Sequence, residues 1–340
     1  MRSLKELFRH PKVSVIVASY NYGNLIGKAL TSILDQTADD LEIVVIDDAS
    51  TDNSRDVIHS LKDGRIRYRA NPSNIGPSRT YNRAAKLARG AFITYVDADD
   101  WIDKRKFERQ LAHFEQHPDT DILGTYANFH AVDGGRHPRA DALEAHFNQA
   151  RDFNAVEQWI GGNSLAAPSV MMRRSVQERI GLRDPAMVFA DYELWTRALR
   201  DGCRFDMVAS PLLSYRLHDS SASHVIPPGD ALLETAYILH RNLLPKIKIS
   251  RTFRAAMTWI LRREQLGQLE EAEQFALLAF VLGPSQKIDF AGFRQAFAAR
   301  RADPELIAEG RGWYEELSAY DSGEGQRFER RIEVYLSHQR

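Results

Sequence analysis

The sequence predicts an α/β domain on a mainly parallel sheet, followed by an all-helical C-terminal region. Over the first hundred residues, short runs rich in β-branched residues alternate with segments of helical spacing. Each run ends in a polar or acidic cluster. Beyond Pro227-Pro228-Gly229 the strand signal stops, and apolar residues recur at helical intervals.

Val13–Ala18 reads as the first buried strand and ends in Ser19-Tyr20-Asn21. Leu25, Ile26, Ala29, Leu30, Ile33 and Leu34 then fall on one helix face. Leu41–Ile46 is a second strand, closed by Asp47-Asp48-Ala49-Ser50-Thr51-Asp52, with a short helix through Val57 and Ile58. Ile66–Arg69 is a weaker strand, and Asn71–Gly76 turns the chain. Pro77, a good first-turn residue, opens a helix expected to run to Arg89, with Gly90 as its stop. Ala91–Val96 is the fourth strand and breaks off into Asp97, Asp99 and Asp100. Residues 125–167 lose this alternation and read as a solvated loop, in which His130, His137 and His146 lack ligand spacing. After the break, Leu232, Leu233, Ala236 and Leu239 form one stripe, and Phe253, Met257, Ile260 and Leu261 another. Further helices are expected near 270–281, 290–301, 304–319 and 326–337. The expected division is residues 1–228 and 229–340.

The bulk properties exclude several classes. The 340 residues suit about two domains. A formal net charge of −1 gives no electrostatic case for nucleic acid. With Cys203 as the only cysteine, neither an intrachain disulfide nor a cysteine zinc site can form, which fits a cytoplasmic setting without demanding it. No apolar stretch is long enough to span a bilayer, and residues 1–10 lack a signal-peptide core.

In open parallel sheets, ligands bind beyond the carboxyl ends of the strands. Four polar clusters fall there: Tyr20-Asn21, Asp47-Asp48, Asn74, and Asp97-Ala98-Asp99. Asp97-x-Asp99 can share a hard divalent cation with substrate phosphate, Mg²⁺ or Mn²⁺ by donor type; helix capping or Asx-turns are the plainer role. There is neither a Gly-x-Gly-x-x-Gly fingerprint nor a Gly-Lys-Ser/Thr phosphate loop. A nucleotide would therefore be held by stacking, carboxylates and a metal. Tyr20 suits stacking on a base or an ordinary core position, and Asp47 or Asp48 suits a base N–H or ribose hydroxyl.

Taken in order, Val13–Asn21, Asp47–Asp52, Asn74–Asn82, Asp97–Asp100, Ala190–Trp195 and Ser214–Ser223 resemble the motifs of family 2 glycosyltransferases of the GT-A fold, a Rossmann-like nucleotide-diphospho-sugar transferase domain. The resemblance covers roughly the first two thirds of the chain, and Asn163–Arg174 returns to its pattern on the acceptor side. It implies a metal-dependent inverting transfer of a sugar from a nucleotide donor, most often a UDP-sugar, to a hydroxyl of a glycan or lipid-linked glycan in surface polysaccharide assembly. On the donor side it places Ser19, Tyr20, Asn21, Asp47, Asp48, Asn74, Gly76, Arg79, Asp97, Ala98 and Arg216. Asp48 would meet the base, Asp97 the ribose or metal, and Asp99 and His218 the metal. For Arg79 and Arg216 an ion pair is the alternative, and for His218 a structural role. Asp191 is the implied catalytic base, although the usual Glu-Asp stands here as Ala190-Asp191. The helical tail is expected to pack, self-associate into a homo-oligomer, or meet a partner or a membrane-bound acceptor, with the enzyme in the cytoplasm or peripheral to the membrane's inner face. The rival reading is a catalytically silent sugar-nucleotide-binding scaffold acting through that tail.

Overall fold

The computed structural model describes residues 10–160, 162–218, 226–246, 267–283 and 287–321. Asp219–Ser223, the stripe Phe253–Leu261 and the helix expected near 326–337 lie outside the described residues. Two compact units emerge. The first comprises Met1–Asp152, Ser164–Pro185 and Gly202–Ser221, and the second Phe153–Asn163, Ala186–Asp201 and Ala222–Arg340.

The first unit is built on one eight-stranded sheet. Its strands are β1 (Val13–Ser19), β2 (Leu41–Asp47), β3 (Ile66–Ala70), β4 (Phe92–Tyr95), β5 (Trp101–Ile102), β6 (Ile122–His130), β7 (Met171–Arg173) and β8 (Phe205–Arg216). The spatial order is β3-β2-β1-β4-β7-β6-β8-β5. The helices of this unit are α1 (Ile26–Leu34), α2 (Ser54–Ser60), α3 (Pro77–Ala85), α4 (Lys106–Gln116), α5 (Ala140–Phe147) and α6 (Arg174–Ile180). β3, β2, β1 and β4 run parallel. All seven residues of β2 are buried, and its Ile43–Ile46 run is the continuous apolar pattern of a strand covered on both faces.

Register decides where the polar clusters land. Ser19 pairs with Asp47, and Asp47 with Ala70, so these three strands end together at one edge. β4 pairs Ile16 with Tyr95, which brings Asp97 out at the same edge. Because β2 and β3 extend to one side of β1 and β4 lies on the other, a topological switch point falls between β1 and β4, where such sheets open a crevice.

α3 ends at Ala85 rather than Arg89. The amides of Arg89 and Gly90 instead donate to Ser14 Oγ (3.1 and 2.8 Å), and Arg89 N also donates to Glu42 Oε1 at 2.8 Å. Gly90 is required there, since a Cβ would sit 2.5 Å from Ser14 N.

The region expected to be a loop carries β6 and α5. From Tyr126 onward β6 alternates half-buried and buried residues, with Ala127 and Phe129 inward. Its polar members, Asn128 and His130, hid a strand held mainly by parallel pairing with β8, which has a register shift at Thr125–Ala127. β8 in turn pairs antiparallel with β5, matching Ser214 to Trp101, and this places the end of β8 beside the acid loop.

The second unit is helical. It contains α7 (Ala190–Arg200), α8 (Pro228–Ile238), α9 (Glu271–Leu282), α10 (Phe290–Arg300) and α11 (Pro304–Asp321), with a single turn at Glu157–Ile160. Phe275–Leu282 of α9 is buried on every side, and Phe280 meets Phe293 and Phe297 of α10. The division differs from a cut at residue 228, because α7 belongs with the helices. Val188 N and Phe189 N donate to Glu234 at 2.8 and 2.7 Å, while Asn242 Nδ2 donates to Thr196 Oγ1 at 3.1 Å.

Candidate active site

The loops after β1, β2 and β3 are knitted by side chain–backbone bonds. Asn21, at φ 58, accepts from Thr51 N at 2.8 Å and donates its own N–H to Ser50 Oγ at 2.9 Å. Asparagine is among the residues that tolerate this left-handed geometry. Gly23 N donates to Asp52 Oδ2 at 2.8 Å. Asp47 is buried and accepts from Ser50 and from Tyr68 OH at 3.0 Å. Asp48, also buried, accepts from Asn71 Nδ2 (2.6 Å), Ile75 N and Gly76 N (both 2.9 Å). Gly76, at φ 84 and ψ 160, occupies a region open essentially to glycine and is the N-cap of α3.

These contacts refine the expected donor set. The Asp47 and Asp48 oxygens are largely occupied in shaping the loops, and Asp47 Oδ2 and Asp48 Oδ2, each with one donor, keep the most acceptor capacity. Tyr20 is 44 % exposed, and Asn74 and Arg79 are also exposed at this edge. Asn74 Oδ1 accepts from Gly76 N at 3.1 Å. Ser19 Oγ and Ala98 are buried, and Ser19 Oγ has no hydrogen-bond partner.

The acid loop beyond β4 brings Asp97, Asp99 and Asp100 together, with one carboxylate oxygen of each within 4.8 Å of the others. Tyr81 OH donates to Asp97 Oδ1. His218 Nε2 lies 2.7 Å from Asp99 Oδ2 and 3.5 Å from Tyr22 OH. Asp100 is fully buried; its Oδ1 accepts from Arg216 N at 2.7 Å, and its Oδ2 has no partner. Burial first, then the negative charges of Asp99 and Asp97, hold the Asp100 carboxyl well above the usual carboxylate range. Burial and the same acids push the Tyr22 phenol up. A hard cation fits this donor set, since clustered carboxylate oxygens match Mg²⁺ or Mn²⁺ and repel one another without one.

Arg216, expected on the donor side, is held by the acid loop and by the segment after β6. It is 5 % exposed; its Nε donates to Asp99 O at 2.9 Å and its Nη1 to Val132 O. Its guanidinium lies 5.1 Å from the Trp101 ring centroid, with Lys28 Nζ also over that ring. Arg216 therefore shapes the acid loop.

Sequence reasoning missed Tyr22, Tyr81 and Arg183. Arg183 is buried over the rings of Tyr81 and Tyr95 (4.3 and 4.6 Å), and its Nε and Nη2 have no partner. Tyr81 could have been found, because it lies on the α3 face that also buries Ser78 and Ala84. Arg183 carried no local signal.

In the second unit, Asp191 lies in the first turn of α7, whose N-cap is Phe189. Asp191 Oδ2 accepts from Asn163 Nδ2 at 2.9 Å and Oδ1 from Tyr192 N at 2.7 Å. Glu193, the neighbouring acid, is buried and paired with Arg197 at 2.8 Å, a packing role.

Residues 14–181 match the family model "Glycosyl transferase family 2". The chain is 28 % identical over 214 residues to the UDP-Glc:alpha-D-GlcNAc-diphosphoundecaprenol beta-1,3-glucosyltransferase WfaP of Escherichia coli, covering 62 % of this chain and 79 % of that protein. S. aureus TarS 1–349, solved with UDP-GlcNAc, superposes with a TM-score of 0.63 at 17 % identity over 89 % of this chain and 92 % of that one. The mannosyltransferase PcManGT of Pyrobaculum calidifontis, solved with GDP-Man and Mn²⁺, gives 0.52 at 18 % identity over 92 % and 85 %. At these identities the structural likenesses establish the fold.

Proposed function

Because the chain belongs to glycosyltransferase family 2, we propose that it transfers a sugar from a UDP-sugar to an acceptor hydroxyl with inversion, assisted by Mn²⁺ or Mg²⁺. The carrying observation is the convergence of Asp97, Asp99 and Asp100 at the end of β4, with His218 against Asp99. Asp97 and Asp99 are the residues that would hold the cation, with His218 in reach. When bound, the ion supplies Lewis-acid stabilisation of the charge developing on the leaving diphosphate.

The remaining roles belong to this chain's own residues. Exposed Tyr20 offers a stacking face to the base, and Asp48 Oδ2 an acceptor for a base N–H. Arg79 offers a charge-assisted contact to phosphate. Tyr81 orients Asp97 from a buried position, and Arg216 fixes the backbone of Asp99. In an inverting transfer the acceptor oxygen attacks the sugar C1 from the face opposite the diphosphate. The C1–O bond to phosphate breaks as the new glycosidic bond forms, and the hydroxyl proton passes to a base. We assign Asp191 as that base, on its motif and on the Asn163 hydrogen bond that orients its carboxylate.

The diphosphoundecaprenol acceptor in the WfaP name supports a lipid-linked glycan acceptor here, in surface polysaccharide assembly at the cytoplasmic membrane face. Among the described residues no helix is long and apolar enough to cross a membrane. The test is a panel of UDP-, GDP- and dTDP-sugars scored for thermal stabilisation and slow donor hydrolysis with Mn²⁺, Mg²⁺ or chelator. A UDP-sugar that acts only with metal is expected. Metal-independent binding, or no binding by any donor, would overturn the proposal.

A further inference from the structure

A second cluster of metal-ligating side chains lies in the first unit and plays no part in donor chemistry. His113 and His117 stand four residues apart at the end of α4, and their rings stack with centroids 4.3 Å apart. Asp206, near the start of β8, reaches His113 Nε2 with its Oδ2 at 2.7 Å, while its Oδ1 accepts from Met207 N. One ligand atom from each of the three lies within 4.8 Å of the other two. We propose that His113, His117 and Asp206 bind a borderline divalent transition-metal ion, of which Zn²⁺ is the representative.

The donor chemistry selects the class of ion. Two imidazoles and one carboxylate suit Zn²⁺, Ni²⁺ or Cu²⁺, whereas Mg²⁺ and Mn²⁺ favour the carboxylate oxygens that predominate in the acid loop. The spacing permits it. Ligand bonds of about 2.1 Å in a tetrahedral site put ligand atoms roughly 3.4 Å apart. The His113–Asp206 pair therefore has to open by less than an ångström as the ion takes the place of the shared proton. His117 is exposed and the Asp206 side chain is 43 % exposed, so both have room to adjust. The end of α4 also favours a cation, because its last carbonyls carry the negative pole of the helix. With three protein ligands, one tetrahedral position is left for water.

The site is separate from the acid loop. Asp206 and Arg216 lie ten residues apart on β8, about 30 Å of extended strand. An ion at Asp206 ties α4, which follows the acid loop in the chain, to the strand that delivers Arg216 and His218. Its role is to clamp these two elements.

The test uses the full chain with ZnCl₂ or MnCl₂ alone, read by thermal melts and isothermal titration. Wild type, His117→Ala, Asp206→Asn and Asp99→Asn are compared, each first checked for an unchanged metal-free melt. Zn²⁺ is expected to raise the melting temperature of wild type and Asp99→Asn alike. His117→Ala and Asp206→Asn should bind Zn²⁺ at least about tenfold more weakly, with the Mn²⁺ response of His117→Ala unchanged. A Zn²⁺ response retained by both His117→Ala and Asp206→Asn, one lost in Asp99→Asn, or none in wild type would each overturn the assignment. If Asp206→Asn melts abnormally without metal, His117→Ala, whose ring is exposed, decides alone.

Discussion

Lys106 is wholly buried in the first turn of α4, and among the described residues its Nζ has only Thr94 Oγ1, at 3.4 Å, as a hydrogen-bond partner. Burial pushes its ammonium from 10.5 down to about 7. That gap, at about 1.36 kcal/mol per decade, is worth roughly 5 kcal/mol against the protonated folded state. The sign follows from proton counting. Between pH 7 and 10.5 the unfolded chain holds a proton on Lys106 that the folded chain has released, so stability rises with pH across that window. Below pH 7 both states are protonated and the penalty is full and constant. Replacing Lys106 by methionine keeps the length of the side chain and removes the charge. The variant is expected to be more stable than wild type by a few kcal/mol at pH 7, with about 5 kcal/mol as the ceiling. Its advantage should shrink by roughly 1.4 kcal/mol per pH unit towards pH 10. Urea unfolding of both proteins at pH 7, 8.5 and 9.5 measures this directly. Taking the difference between the two removes the other titrating groups, which they share. A difference that does not change with pH, or a variant less stable at pH 7, would show that Lys106 stays charged and compensated in the fold, and would refute the reasoning.

Asp99→Asn should weaken Mn²⁺-dependent UDP binding by about tenfold or more while leaving any metal-free binding unchanged, as read by isothermal titration; equal affinities for wild type and variant, each with and without Mn²⁺, would remove the metal bridge. Tyr81→Phe strips a buried donor from Asp97, so urea unfolding should show a loss of about 1–3 kcal/mol, together with weaker UDP–Mn²⁺ binding. Asp191→Asn keeps the side-chain shape and costs at most about 1 kcal/mol of helix-dipole stabilisation. Its transfer rate should fall by roughly 10²–10⁴-fold with donor binding intact, and a near-normal rate in a folded protein would take Asp191 out of the mechanism.

The sequence by itself determined the four parallel strands, the edge at which their loops gather, and the helical character of the C-terminal region. Each of these is local: β-branched runs, a proline at the start of α3, and acids at strand ends are read over a few neighbouring residues. The grouping of Asp97 and Asp99 with His218 came from the family resemblance alone, and in the tertiary structure Asp99 and His218 lie 2.7 Å apart. What only the tertiary structure decided depends on pairing between distant segments. β6 is polar enough to read as loop until β8 supplies its parallel partner. The contacts of Arg216 with the backbone carbonyls of residues 99 and 132 arise only once β8 pairs with β5. Asp47 and Asp48 look free to meet a nucleotide until the amides of the next loops close on them. α7 sits in sequence beside the sheet but belongs with the helices, because Glu234 and Asn242 satisfy its first turn and its buried face. Hydrophobic pattern is written along the chain, whereas the satisfaction of buried polar groups is settled only when remote segments meet.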